Sequence, residues 1–571
     1  MKNNTRIEKL FLFVLLLLFM VQFILASGQE VGKKEPLIEK VDKIFEKWNK
    51  SNSPGCALGV IKDGEFIYRK GYGMANLEHD VPINSQTVFR IGSTSKQFTA
   101  MCIALLEEEG KLSLDDSIRK YIPEMPAYAN NITIRNLIHH TSGIRDYLTL
   151  WSLAGFRDDD FFTDPEVVEM LARQKELNFK PGEEFLYSNS GYFLLSIIVK
   201  NVTGKSMSVY AQEKIFKPLK MLNTHFHDDH TIVVKNRAMG YAPKGKDKYK
   251  ISMTTLGMIG DGGIFTCVDD LLLWDQNFYN NKLGKGSPEL IRKVLATGKL
   301  NSGKELDYAF GLMVTEYKGL KMVVHGGAFV GFRADMIRFP EHKFSVICLA
   351  NLGAINPSRL ARKIADIYLA DHLKKEPEKI PEKPKFIELS PEKLKPLTGT
   401  FRNPKTKTVW QILIKEKQLL VKSPYFQFGL KPVSETLFYV VDAPVNASVE
   451  FQKEKEETRP GVKFIVEGRN EPSFFKPITL VKPTSEELAE YVGRYYSDEL
   501  DVAYNVFVKK NKMYIRHENP HKDYPKEAFL PIFKDEFQLK GINIIFQRDS
   551  GGKIIAYTAN AGRVKNIKFI K

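Results

Sequence analysis

FRIGSTSKQFTA, residues Phe89 to Ala100, is the stretch on which the reading of this 571-residue chain turns. A short β-like run meets a helical pattern that continues through Leu106 to a stop at Gly110, so Ser93 falls at a helix start. There its backbone amide and the helix dipole can stabilise an oxyanion. Lys96, one turn on, shares a face with Ser93. A hydroxyl beside an amine suits an activated serine nucleophile. A lone Ser-x-x-Lys arises by chance on the order of a few times in a chain this long, so its neighbours must decide.

The second element is PGEEFLYSNSGYFLL, Pro181 to Leu195. A Pro-Gly turn leads through aromatic residues into an apolar helix from Tyr192, and Tyr187, Ser188 and Asn189 stand at its approach. Tyrosine, with an ordinary pKa near 10, needs a nearby cation to act as a base at neutral pH, and Lys96 could supply it. Alone, Tyr187 reads more simply as a packed aromatic with a satisfied hydroxyl. The third element, His325, Gly326 and Gly327 followed by Ala328, ends the β-run Met322 to Val324. Glycines at a strand edge let another backbone come close. Alone, the segment reads as a bulge beside a structural histidine.

Taken together and in this order, the three elements resemble the serine β-lactamase and penicillin-binding protein family, in the class C and D-alanyl-D-alanine peptidase-like branch with Tyr-x-Asn. HTSG at His140 to Gly143 and GDGG at Gly260 to Gly263 strengthen the likeness, which covers roughly residues 37 to 372. The resemblance implies an α+β fold, an antiparallel sheet flanked by helices, and a cofactor-free two-step acyl transfer. It makes Ser93 the acylated nucleophile, Lys96 and Tyr187 its proton-transfer pair, and Asn189 a donor to substrate. The amides of Ser93 and Ala328, the latter following Gly327, would form the oxyanion hole. His325 stands where true β-lactamases carry the lysine of Lys-Thr-Gly, and His-x-Gly resembles the esterase and D-amino-acid peptidase members. The implied substrate is a small ester or peptide, with D-amino-acid cell-wall fragments among the candidates. A catalytically silent receptor of the same fold is the alternative from another class.

One competing signal is HFHDDH, His225 to His230, whose spacing fits a zinc hydrolase. It falls inside PLKMLNTHF, which looks like a recurrent segment of the serine family, and the apolar strand expected before a metal motif is missing. The expectation is therefore no catalytic metal.

Further out, Leu37 to Trp48 has helical spacing, and Cys56 to Ile61 and Phe66 to Tyr68 flank Asp63-Gly64 as a hairpin. A second β-rich set lies between Met322 and Ala350, and a helix is expected from Pro357 to Leu373. Residues 29–371 form the expected hydrolase domain, and the Lys-, Glu- and Pro-rich tract 372–388 reads as a linker. Beyond it LKPLTGTF, Leu394 to Phe401, matches LAEYVGRY, Leu488 to Tyr495, at an offset that also aligns Gly399 with Gly493. This weak repeat suggests two small lipocalin-like barrels, 389–482 and 483–571, with one larger barrel or sandwich as the alternative.

Lys2, Arg6 and Lys9 precede the apolar run Leu10 to Ala26, so residues 1–28 read as a signal peptide and the protein as periplasmic or secreted. An uncleaved anchor is the rival, and the leader would then be the sole link to a membrane. Four scattered cysteines exclude a disulfide scaffold and read as buried thiols. A formal charge of +16 makes the surface basic, but lysines alternate with acids, and no basic helix or aromatic platform suggests nucleic acid binding.

Overall fold

Asp63 and Gly64 take φ of 52° and 85°, turning strand Cys56–Lys62 back into Glu65–Tyr72 as the expected hairpin. This hairpin forms one side of a six-stranded antiparallel sheet. The order from the far edge is Met313–Tyr317, Leu320–Phe329, Phe332–Phe339, Phe344–Ala350, Cys56–Lys62, Glu65–Tyr72. First and last portions of the domain thus meet at the centre, where Leu58 pairs with Cys348. The computed structural model describes residues 37–571 except 158, 375–384, 424–425, 442–445, 454–458, 467–470 and 520–527. The expected leader, and most of the expected linker, lie outside the described residues.

Both faces of the sheet are covered, and period-two alternation sorts its side chains between them. Val346 and Cys348 pack with Val41, Phe45, Leu360 and Ile364 from two flanking helices. Ile347 and Leu349 join the larger core on the opposite face, with Phe98 and Trp274. The outer helix Pro357–Tyr368 starts on an Asn356 side-chain cap with proline in its first turn. It ends short of the expected Leu373, because Leu369 leaves helical geometry at ψ 14°. Helix Lys96–Glu108 is buried on all sides from Lys96 to Leu106, which explains its apolar composition.

Two further sheets follow. The first is a closed eight-stranded barrel from Gly399–Arg402 to Ser473–Ile478, in which first and last strands pair, around a core that includes Trp410, Phe428 and Phe475. The second is an eight-stranded sheet in which the opening strand Gly493–Ser497 also pairs with the last, Val564–Ile570. Its end strands, Lys512–His517 and Leu530–Phe533, flank undescribed residues 520–527, so closure is seen in the first barrel alone. The aligned glycines open the first strand of each sheet, and Leu394 and Leu488 are both buried.

The two sheets relate differently to the domain built on the six-stranded sheet. The barrel has its own hydrophobic cluster, whereas Tyr495, Tyr504 and Phe546 of the second sheet share one continuous core with Ile138 and Trp151. Arg145, fully buried, donates from Nη1 to Glu499 Oε1 across that junction at 2.5 Å, and Tyr504 donates to Leu153 O at 2.8 Å. The second sheet is thus bound to that first domain by core packing and a buried ion pair.

Candidate active site

The nucleophile candidate sits on a strained approach. Gly92 has φ 51° and opens a 3-10 turn, Gly92–Ser95, that runs directly into the helix beginning at Lys96. Ser93 is half-buried, while Lys96 is fully buried. Lys96 Nζ donates to Ser93 Oγ at 3.2 Å, Asn189 Oδ1 at 2.9 Å and Asp261 O at 2.7 Å. Three acceptors match the three donors of an ammonium, so a cation is held against the serine hydroxyl in an otherwise dry position.

Tyr187 approaches from a different segment. Lys96 Nζ lies 4.9 Å from its ring centroid, and the His140 ring lies 4.2 Å away. His140 adopts φ 57° and accepts the Ser188 N–H on Nδ1 at 3.2 Å, which fixes the proton on Nε2. Burial, with Lys96 close by, holds this imidazole well below its ordinary pKa. Two buried polar atoms, Tyr187 Oη and His140 Nε2, have no hydrogen-bond partner among the described residues. Asn189 starts the helix Asn189–Thr203 and donates its N–H to Asp146 Oδ2 at 2.8 Å. With its Oδ1 taken by Lys96, its amide nitrogen remains as a donor on the cleft wall.

The glycines of the third element have a steric purpose. A Cβ on Gly327 would lie 1.8 Å from Ile91 O, and one on Gly92 would lie 2.9 Å from Ala328 N. The sheet strand and the nucleophile turn are therefore in backbone contact, which sets the Ala328 amide beside the Ser93 turn as an oxyanion hole requires. Thr94 Oγ1 reinforces the contact by donating to His325 O at 3.2 Å. His325 lines the cleft, but both ring nitrogens are engaged by protein: Nδ1 with Gly326 O at 2.7 Å and Nε2 with Tyr308 Oη at 2.9 Å. Burial, then Lys96, pushes its pKa down to about 3. It meets substrate as a neutral ring, which cannot act as the lysine cation of Lys-Thr-Gly.

All seven sequence-derived candidates except Lys96 line one cleft of about 1190 Å³. Four contributors were not anticipated. Tyr308 orients His325, Asp261 supplies a carbonyl to Lys96, and Asp146 receives Asn189. The fourth, Arg563, enters from the second C-terminal sheet, with its guanidinium carbon 4.8 Å from the Tyr187 ring centroid. HTSGIRD at His140 to Asp146 carried a partial signal for Asp146, whereas nothing local marked Arg563. The histidine cluster gathers no metal cage. His225 and His227 share a ring-to-ring hydrogen bond at 3.2 Å and Asp228 accepts from Ser208. Among the described residues no three His, Cys, Asp or Glu side chains are disposed around a metal position. The four cysteines are free and buried.

A model of the beta-lactamase family matches residues 41–370. The chain belongs to the beta-lactamase family. It is 29% identical over 324 residues to "Penicillin-binding protein 4*" of Bacillus subtilis (strain 168), covering 54% of this chain and 70% of that one. It is 28% identical over 299 residues to a "D-aminopeptidase" of Gluconobacter oxydans (strain 621H), covering 52% of this chain and 56% of that protein's length. Among solved structures, the octameric penicillin-binding protein homologue from Pyrococcus abyssi superposes with a TM-score of 0.55 at 26% identity, covering 78% of this chain and all of that one. This beta-lactamase family member is a serine hydrolase of the peptidase and esterase type.

Proposed function

We propose that the protein is an exported hydrolase that forms an acyl-enzyme on Ser93 and cleaves small esters or short peptides, D-amino-acid cell-wall peptides among them. One observation carries the reading: buried Lys96 is hydrogen-bonded to Ser93 Oγ at 3.2 Å while lying 4.9 Å from the ring of Tyr187, whose hydroxyl has no hydrogen-bond partner among the described residues. Ser93 Oγ attacks the acyl carbonyl, and its proton passes to the Lys96–Tyr187 pair. The amides of Ser93 and Ala328 hold the resulting oxyanion. Collapse of the tetrahedral intermediate breaks the bond to the leaving group, which takes the proton through Tyr187. Water then adds to the acyl carbon, gives its proton to the same pair, and Ser93 is regenerated.

Substrate class rests on two supports. A neutral His325 in place of a cationic lysine argues against a β-lactam carboxylate held at that position. The D-aminopeptidase relatives suggest D-amino-acid peptides. Export rests on the basic and apolar leader, Lys2 to Ala26. Incubating the purified protein with a fluorophosphonate or a labelled penicillin, then mapping the adduct by mass spectrometry, tests the mechanism. An adduct on Ser93 is expected, and labelling that survives Ser93→Ala would refute it. Chelators should leave hydrolysis intact, whereas a zinc hydrolase would lose it.

A further inference from the structure

Arg563 lies outside the matched family domain yet lines the same cleft as Ser93. It follows Gly562 in the two-residue turn between strands Ile554–Ala561 and Val564–Ile570. The catalytic domain grips this turn by its backbone: Asn178 Nδ2 donates to Arg563 O at 2.9 Å, Asp146 N donates to the same oxygen at 3.4 Å, and Lys565 N donates to Asn178 Oδ1 at 2.8 Å. Anchoring the backbone leaves the side chain free to reach the mouth of the site. There its guanidinium sits against Tyr187 and forms a long ion pair with Asp146 Oδ2 at 3.7 Å, beyond hydrogen-bond distance, so its N–H donors stay available. Asp146 itself is spent on the Asn189 and Thr149 amides.

The other arginines lining the cleft each donate to at least one backbone carbonyl. Arg90 donates to Gly262 O at 3.1 Å, Arg333 to Phe332 O at 2.6 Å, and Arg362 to Ser358 O at 2.9 Å. The side chain of Arg563 keeps 42% of its surface exposed. A planar fork with spare donors at the edge of a reaction site is suited to a carboxylate. The strand position where relatives of the Lys-Thr-Gly type carry a cation is here filled by a neutral His325.

We propose that Arg563 is a substrate-recognition residue that pairs with a carboxylate on the substrate, so that anionic peptides or esters are the preferred class. The assignment rests on the Ser93 hydrolase reading above and deepens it. It means that the second C-terminal sheet supplies, from outside the family domain, the anion-binding group that the sheet strand lacks.

The test compares two matched fluorophosphonates, one ending in a carboxylate and one in the isosteric carboxamide, by their second-order rates of Ser93 modification in the full-length protein. Wild type is expected to favour the carboxylate probe by roughly 10- to 100-fold, the range of one charge-assisted pair. Arg563→Ala should bring the ratio close to one, and Arg563→Lys should restore part of it. Thermal melts of each variant check that the turn remains docked. Equal ratios in wild type and Arg563→Ala, with Ser93 still modified, would overturn the assignment alone. Failure of both probes to modify Ser93 in wild type would overturn the hydrolase reading and this proposal with it.

Discussion

Replacing Glu499 by Gln removes one charge from the buried pair that joins the second C-terminal sheet to the hydrolase domain. The side chains of Arg145 and Glu499 are 0% and 3% exposed, so neither is screened by solvent. Removing one partner of such a pair costs about 3 to 5 kcal/mol, because the survivor is left charged in a dry place. Arg145 retains Gln174 at 3.0 Å and half-exposed Glu176 at 3.1 Å, which points to the low end, about 3 kcal/mol. Arg145→Met with Glu499→Leu removes both charges and should recover most of that loss. Urea unfolding followed by tryptophan fluorescence reads the change, since Trp151 is buried in the core shared by the two units. Arg145 precedes Asp146, the acceptor of the Asn189 amide, so Glu499→Gln should also slow Ser93 modification. A loss below about 1 kcal/mol, or a double variant no more stable than the single one, would refute the claim that this ion pair carries the junction.

Ser93→Ala should abolish turnover, by at least about a thousandfold, with an unchanged melting temperature; residual hydrolysis at the wild-type rate would assign the nucleophile elsewhere. Gly327→Ala places a methyl 1.8 Å from Ile91 O and must push the strand from the nucleophile turn, so kcat should fall about a hundredfold with KM less affected. Lowering the pH should destabilise the fold: His325 has a pKa near 3 when folded against about 6.5 unfolded, so the unfolded chain binds more protons between those values. Stability therefore rises with pH across that window, by about 1.4 kcal/mol per pH unit for this residue, and His325→Asn should flatten the dependence measured by denaturant midpoints from pH 4 to 7.

The residues whose roles depend on short spacings were legible from sequence. Ser93 and Lys96 are one turn apart, the Asp63-Gly64 hairpin is local, and Gly327 announces a close backbone approach. Groups whose roles depend on tertiary placement were not. Tyr308 sits in an irregular loop and becomes meaningful only against His325, 17 residues away in sequence. The edge strand Met313–Tyr317 carries mostly exposed or half-buried side chains and so lacks the apolar alternation that marks its neighbours. Nothing in the sequence around Arg563 or Glu499 marks either residue, because a charged residue declares its partner only once two distant segments are docked. That both ring nitrogens of His325 are taken could not be seen in the sequence, because Tyr308 Oη reaches the ring only in the folded chain and Gly326 O only through the ring's rotamer.

The pocket draws on residues 93, 187, 325 and 563, so its assembly depends on pairing between regions synthesised far apart in time. A polypeptide that ends between residue 370 and the Ile554–Ala561 and Val564–Ile570 hairpin would contain the whole family domain but leave the Arg563 side of the mouth unbuilt. Long-range closure of this kind slows folding. If Arg563 selects substrate as proposed, selectivity is acquired only when this hairpin has docked, later than the family domain itself.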